Sequence, residues 1–143
     1  MAQYKFQTDG SHLSASKHRP SSTGFGWLLT KKGKSGFSSQ KAFRQIEPST
    51  NNVAEWLAVV DAVEYAKKHL HDAKFVIIET DSELVVKQVA GEYQVKDQRL
   101  KAIKAQYNRI VNNVPFSVQV KHIPREKNQM ADSLSKLGSL LNR

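Results

Sequence analysis

Residues 4–11, with the sequence YKFQTDGS, decide the fold of this chain because they combine a strand pattern with an acid at its end. Apolar and polar side chains alternate along the stretch at the two-residue period of a β-strand. Gly10 and Ser11 indicate a turn, so we expect Asp9 to lie at the carboxyl end of the strand. Open α/β sheets bind ligands at that end, although an Asp-Gly pair alone is more often a simple turn.

The composition limits both the class of protein and the kind of metal site. A chain of 143 residues is long enough for one domain with its own core, and we expect a single domain over residues 1–143. With no cysteine, thiolate sites are excluded, and the available carboxylates and histidines favour Mg²⁺ or Mn²⁺. No stretch has the character of a signal peptide or a membrane span, so we expect a cytoplasmic protein without a membrane partner.

The charge indicates the kind of partner. Twenty-two lysines and arginines stand against thirteen aspartates and glutamates, giving a formal net charge of +9. This excess favours a polyanion such as a nucleic acid, although a merely basic soluble protein carries the same charge.

Periodicity and turn signals predict the element order βββαβααβα, with hairpins first and right-handed crossovers afterwards. The run at residues 75–78 is continuously apolar, as in a strand buried on both faces. Three of the helices carry predicted apolar faces at helical spacing: Val53, Trp56, Val60 and Val63 in the first, Leu100, Ile103, Tyr107 and Ile110 in the third, and Met130, Leu134, Leu137 and Leu141 in the last. Predicted strands lie at residues 4–9, 24–30, 35–46, 75–78 and 116–121. Predicted helices lie at 53–69, 82–90, 96–112 and from about 130 onward. A polar loop is predicted at 14–22, a turn at 31–34 and a loop at 122–127.

Four acids fall at the ends of these elements, namely Asp9, Glu55, Asp81 and Asp132. Each later acid has a simpler explanation: Glu55 in a capping box with Asn52, Asp81 as a helix cap, and Asp132 as a solvated acid opposite the apolar stripe. If the first and fourth strands are parallel neighbours, however, Asp9 and Asp81 end side by side. Clustered carboxylates repel one another unless cations intervene, so a group of acids in a basic protein indicates a divalent metal site that can hydrolyse a phosphodiester.

The motifs TDGS at 8–11, TNNVAE at 50–55, TDS at 80–82 and the segment 122–132 ending in NQMAD resemble, in this order, type 1 ribonuclease H. The resemblance spans essentially the whole chain. It implies the ribonuclease H fold, an α/β five-stranded mixed sheet in the order 3-2-1-4-5 with helices on both faces. It also implies endonucleolytic cleavage of the RNA strand of RNA·DNA hybrids, leaving 5′-phosphate and 3′-hydroxyl ends, with two Mg²⁺ ions for which Mn²⁺ substitutes.

The resemblance further implies a role for each matching residue. Asp9, Glu55, Asp81 and Asp132 correspond to the metal-binding catalytic acids. His122 matches a histidine proposed to help product release or proton transfer, unless it merely ends a strand. The implied substrate contacts are the backbone of Gly10 and Ser11 near RNA 2′-hydroxyls, Asn51 and Asn52 in the minor groove, and Thr50 near the DNA phosphates.

The chain departs from the family in two places and leaves other interpretations open. The loop after Asp9 lacks the Asn-Pro-Gly run of many members, and the link at residues 91–97 is too short for a basic protrusion helix. Hybrid affinity would then depend on other lysines or on a partner. We expect a monomer without a small-molecule cofactor. The alternatives are a catalytically silent nucleic-acid-binding module, against which the four acids argue, and another two-metal nuclease or exonuclease, against which the TNN motif argues.

Overall fold

Strands and helices follow one another in the predicted order in the computed structural model, which describes residues 2–33 and 36–141. The strands are β1 Ala2–Leu13, β2 Ser22–Gly33, β3 Gly36–Ile46, β4 Ala73–Thr80 and β5 Ser117–His122, and the helices are α1 Asn51–His69, α2 Glu83–Val89, α3 Gln98–Val111 and α4 Gln129–Leu140. The predicted turn at 31–34 and the start of the third strand at 35 fall partly outside the described residues. Within those residues, no helix is both long and apolar enough to span a membrane.

The five strands form one mixed sheet in the order β3-β2-β1-β4-β5, as predicted. The pairs β1–β2 and β2–β3 are antiparallel, which is the geometry of consecutive hairpins. The pairs β1–β4 and β4–β5 are parallel, and helices provide the crossovers between them. The central position of β1 therefore joins the antiparallel half of the sheet to the parallel half.

Strand β1 is longer than the sequence predicted. Gly10 and Ser11 do not form a turn, because they remain paired with β2 opposite Phe25 and Gly24. Pairing with the parallel neighbour β4, in contrast, ends at Thr8. The prediction of a turn was wrong because the sequence pattern of one strand does not show how far each neighbouring strand extends. Here β1 stays paired with β2 after its pairing with β4 has ended. Asp9 consequently lies inside a strand, at the point where its parallel partner is lost.

The main core lies between the sheet and helices α1 and α3. The predicted apolar faces are confirmed, since Val53, Trp56, Val60 and Val63 of α1 and Leu100, Ile103, Tyr107 and Ile110 of α3 are buried. The alanines of α1 at positions 54, 58, 62 and 66 are fully buried, which allows the helix backbone to approach β1 closely. The Trp56 indole donates to Gln88 Oε1 at 2.7 Å and so connects α1 to α2.

Helix α4 packs on the face of the sheet opposite α1 and α3. The side of the helix that it buries differs from the predicted one. Of the predicted stripe only Leu134 is buried, whereas Met130, Leu137 and Leu141 are 40–49% exposed. Apart from Leu134, the buried face is made of small residues, namely Ala131, Ser135, Gly138 and Ser139. The cause lies in β2, because a Cβ on its Gly24 or Gly26 would meet α4 atoms at 2.2–2.5 Å. Glycines facing small residues bring the helix close, and this close packing overrides the apolar stripe.

Strand β4 is not buried on both faces, contrary to the prediction. Val76 and Ile78 point into the core, but Phe75 on the other face is 44% exposed. The reason is that α4 packs mainly over β1, β2 and β3. The apolar run therefore indicated a strand correctly but overstated its burial.

Candidate active site

Three of the four predicted acids converge at one end of the sheet. Carboxylate oxygens of Asp9, Glu55 and Asp81 all lie within 4.8 Å of one another. The parallel register pairs Thr8 of β1 with Thr80 of β4. The residues that follow these two, Asp9 and Asp81, therefore start from neighbouring positions at the same end of the sheet. Glu55 comes from α1, just after the first turn of the helix. Two strands and one helix therefore hold the three carboxylates together.

Close packing of β1 against α1 brings Glu55 to this point. A Cβ on Gly10 would lie 2.4 Å from the backbone nitrogen of Glu55 and 2.7 Å from the Cβ of Ala54. Because any larger residue would collide with the helix backbone, glycine at this position sets the distance between the strand and the helix. Gly10, the residue after Asp9, therefore allows α1 to lie close to β1.

Neither Glu55 nor Asp81 serves as a helix cap. The Thr50 hydroxyl caps α1 by accepting from the Val53 amide at 3.2 Å. The Ser82 hydroxyl caps α2 in the same way, accepting from the Val85 amide at 3.2 Å. The simpler explanations of these two acids are therefore wrong, and their carboxylates are free of capping bonds.

The cluster concentrates negative charge where water is largely excluded. Asp9 is 4% exposed and Glu55 is 9% exposed. Burial, followed by repulsion from Asp81, raises the pKa of Asp9 to about 7. Burial and repulsion from Asp9 hold the pKa of Glu55 well above its ordinary value, and its Oε2 has no hydrogen-bond partner among the described residues.

No cationic side chain of the described residues neutralises the cluster. The ion pairs among residues 2–33 and 36–141 involve other acids, and none reaches Asp9, Glu55 or Asp81. Buried like charges without a cationic partner are unfavourable, and oxygen ligands suit hard divalent cations. The donor set therefore fits a divalent metal ion.

Asp132 lies at the edge of the cluster and outside the group of three. Its carboxylate forms an ion pair with Lys136 at 3.0 Å, one turn later on α4. It is close enough to Asp9 to contribute, after burial and Asp81, to the raised pKa of that residue. The Asp132 side chain is still 37% exposed, so this acid is partly solvated as well as close to Asp9.

Two further residues join the site that sequence reasoning did not identify. Asn128 is fully buried, and its amide donates to the Thr8 carbonyl at 2.9 Å and to Asp81 Oδ2 at 3.4 Å. The Ser135 hydroxyl lies 3.1 Å from Asp9 Oδ2. Asn128 opens the NQMAD motif and was within reach of sequence reasoning. Ser135 was not, because its contact depends on the rotation of α4.

The predicted substrate residues adjoin the acids along the chain, and we call them the rim of the site. Asn51 and Asn52 are exposed in the first turn of α1, about one turn before Glu55, and Thr50 caps that helix. Gly10 and Ser11 continue β1 beyond Asp9. The structure adds one cation to this rim, because the guanidinium of Arg99 at the start of α3 donates to Ser49 Oγ at 3.0 Å.

His122 does not lie in a loop, as predicted, but is the last residue of β5. Its backbone pairs with Thr80, directly before Asp81, and its side chain is exposed. It is not among the residues whose ligand atoms meet in the carboxylate cluster. The parallel register still brings His122 to the same end of the sheet as the acids.

Comparisons with known proteins agree with this architecture. The profile of a family described as reverse transcriptase-like matches residues 7–138. LC11-RNase H1, isolated from compost by a metagenomic approach, is 33% identical with a TM-score of 0.77, and the match covers 97% of this chain and 96% of that one. RNase H1 from the halophilic archaeon Halobacterium salinarum is 27% identical with a TM-score of 0.77 over 95% and 96% of the two chains.

Two more structures complete the comparison. The N-terminal RNase H domain of a Mycobacterium tuberculosis protein, at 23% identity, shares the fold with a TM-score of 0.81 over 97% of this chain and 94% of that one. LC11-RNase H1 in complex with an RNA/DNA hybrid matches with a TM-score of 0.75 and 29% identity over 95% and 96% of the two chains. The prediction of a ribonuclease H fold is confirmed.

Proposed function

Because the chain belongs to the type 1 ribonuclease H family, we propose that it cleaves the RNA strand of RNA·DNA hybrids internally, leaving 5′-phosphate and 3′-hydroxyl ends. The observation that carries the proposal is the group formed by the buried acids Asp9 and Glu55 and the partly buried Asp81, which has no cationic partner among the described residues. LC11-RNase H1, to which this chain is similar, has been solved with an RNA/DNA hybrid. A silent binding module is disfavoured, because such a module gains nothing from clustered like charges.

Divalent metal ions are the cofactor that this donor set fits. Asp9, Glu55 and Asp81, with Asp132 at the edge, would hold two Mg²⁺ ions, for which Mn²⁺ would substitute. When bound, the ions would make a water molecule nucleophilic at neutral pH and offset the charge that develops on the phosphate. They would also offset the repulsion that, after burial, raises the pKa of Asp9 and Glu55 in the free protein.

The remaining site residues would bind and orient the hybrid. The backbone of Gly10 and Ser11 would lie near the 2′-hydroxyls, which distinguish RNA from DNA. Asn51 and Asn52 would contact bases in the minor groove, where readout is degenerate and tolerates any sequence. Thr50 would lie near the DNA phosphates. His122 is exposed at the end of β5, where it would transfer a proton or help the product to leave.

The positive charge of the protein would supply most of the affinity. Several cations of α3 and of the segment before it are at least partly exposed and form no ion pair among the described residues, namely Lys96, Arg99, Lys101, Lys104 and Arg109. They would substitute for the absent protrusion helix. We further propose that the protein acts as a cytoplasmic monomer without a small-molecule cofactor.

Cleavage assays on three end-labelled duplexes of one sequence test the proposal. Hybrid, duplex DNA and duplex RNA are each incubated with the protein in Mg²⁺, in Mn²⁺ and in EDTA. We expect cleavage of the RNA strand of the hybrid alone, in either metal and not in EDTA, with 3′-hydroxyl ends that a poly(A) polymerase extends. Binding of the hybrid without cleavage in either metal would support the silent module, and cleavage of duplex DNA would support another nuclease.

A further inference from the structure

We propose that Ser135 is a positioning residue that orients the Asp9 carboxylate for divalent metal binding. The inference rests on the proposed function, since it concerns the same site. It assigns a role to a side chain of α4 that is neither an acid nor a substrate contact. Both residues of the contact, Ser135 and Asp9, are described residues of this chain, so the contact needs no second molecule.

The Ser135 hydroxyl lies within hydrogen-bond distance of two acceptors. Ser135 Oγ lies 3.1 Å from Asp9 Oδ2 and 2.8 Å from the backbone carbonyl of Asp132. A hydroxyl has a single proton, so it donates to one of these oxygens at a time. When it donates to Asp9 it fixes one carboxylate oxygen and leaves the other available to a ligand. The same side chain also links Asp9 to the backbone of Asp132, the acid at the edge of the cluster.

The chemical environment makes this donor important. Asp9 is nearly inaccessible to water, and Ser135 is fully buried. With water excluded, the Ser135 hydroxyl at 3.1 Å helps to fix the orientation of Asp9 Oδ2. A metal ion depends on partners that hold its ligand oxygens in the required orientation. Removing the hydroxyl would therefore weaken metal binding without removing any ligand.

Packing of α4 makes the donor rigid. A Cβ on Gly26 of β2 would lie 2.8 Å from the backbone nitrogen of Ser135, so the helix is close against the strand at this residue. A second close contact holds the next turn, where Gly138 lies against the carbonyl oxygens of Phe25 and Arg44. The position of the hydroxyl is thus set by backbone packing on both sides, which is what a group that orients a ligand requires.

The chain offers a matched control one turn later. Ser139 is also fully buried on α4, and its hydroxyl donates to the Lys136 carbonyl at 2.8 Å, which is the same i–3 bond. Among the described residues it contacts no carboxylate. Ser135→Ala and Ser139→Ala therefore remove the same group from the same helix, and only the first of them removes a contact with Asp9.

The experiment measures Mn²⁺ binding by electron paramagnetic resonance without nucleic acid, and melting temperature in EDTA. We expect Ser135→Ala to weaken Mn²⁺ binding about 10-fold or more, the range typical for partners that orient metal ligands. Ser139→Ala should bind Mn²⁺ like the wild type. In EDTA the two variants should lose similar, small amounts of thermal stability. In cleavage assays, Ser135→Ala should need more Mg²⁺ for half-maximal rate and keep the wild-type KM for the hybrid.

The outcomes separate this inference from the proposed function. Equal Mn²⁺ affinity in Ser135→Ala and Ser139→Ala would overturn the positioning role, whether or not the protein cleaves hybrids. A wild type that binds Mn²⁺ and leaves hybrids intact would overturn the proposed function, and a selective effect of Ser135→Ala would still support the inference. A wild type that binds no Mn²⁺ would overturn both.

Discussion

At the scale of single residues, Asp9 lies buried among other acids and shares the electrostatic cost of the site with Glu55. We expect Asp9→Asn to reduce cleavage more than about 100-fold, beyond the loss typical for a partner that only orients a ligand. In EDTA at pH 8 the variant should melt a few degrees higher, since one buried negative charge is gone. Single-turnover cleavage and calorimetry measure the two effects. Glu83→Gln, at an exposed acid of α2, is the control and should change neither.

The raised pKa values also predict how stability depends on pH. In the folded protein without metal, Asp9 has a pKa of about 7 and Glu55 a pKa well above its ordinary value, both mainly because of burial. The folded state therefore binds more protons than the unfolded state between about pH 4 and pH 7, so its stability falls as pH rises through this range. In EDTA, the wild type should gain more melting temperature on going from pH 8 to pH 5.5 than Asp9→Asn does. Identical shifts in both proteins would contradict the raised pKa of Asp9.

His122 allows a sharper test now that its position at the end of β5 is known. If it acts as a general acid or base, His122→Ala should lower the single-turnover rate about 10²–10⁴-fold with little change in hybrid affinity. His71→Ala serves as the control, because His71 is exposed and lies just before the start of β4, whereas the acids lie at the end of that strand. A variant that is less stable yet fully active would end the catalytic assignment.

At the scale of elements, the sequence predicted most of the fold, because local patterns reflect local physics. The order of elements, the sheet order implied by the resemblance and the buried faces of α1 and α3 agree with the structure. The errors occur where one element depends on another. The length of β1 depends on β2, and the rotation of α4 depends on Gly24 and Gly26. Ser135 could not be predicted because its role follows from that rotation.

Contact between β1 and α1 gives a prediction at the same scale. Gly10→Ala places a Cβ 2.4 Å from the Glu55 backbone, so the helix must move away from the strand. We expect a loss of about 1–3 kcal/mol of stability from overpacking, together with weaker Mn²⁺ binding as Glu55 and Asp9 separate. Gly91→Ala is the control, because its φ of 82° costs about 1–2 kcal/mol while its Cβ meets nothing within 4 Å. It should lose similar stability with unchanged metal affinity, and the same result for Gly10→Ala would contradict this account of the close approach.

At the scale of the whole molecule, the site lies where the antiparallel and parallel halves of the sheet meet. Asp9 comes from the strand that belongs to both halves, Asp81 from the first parallel neighbour, and Glu55 from the helix between them in the chain. No single element provides a site, so the group of acids exists only in the folded chain. The same arrangement brings the starts of α1 and α3 together through Arg99 and Ser49, which extends the rim with positive charge.

Arg99 therefore allows the contribution of charge to be measured at one position. If phosphate contacts carry the affinity, hybrid binding should weaken steeply with salt, and Arg99→Gln should lower the slope of log K against log[salt] by about one. The single-turnover rate at saturating hybrid should change little, because the acids are untouched. Lys68→Gln is the control, since it lies near the far end of α1, a helix of 19 residues and about 28 Å. If both variants lower the slope equally, net charge rather than a defined rim holds the hybrid, and a slope near zero in the wild type would exclude phosphate contacts as the main source of affinity.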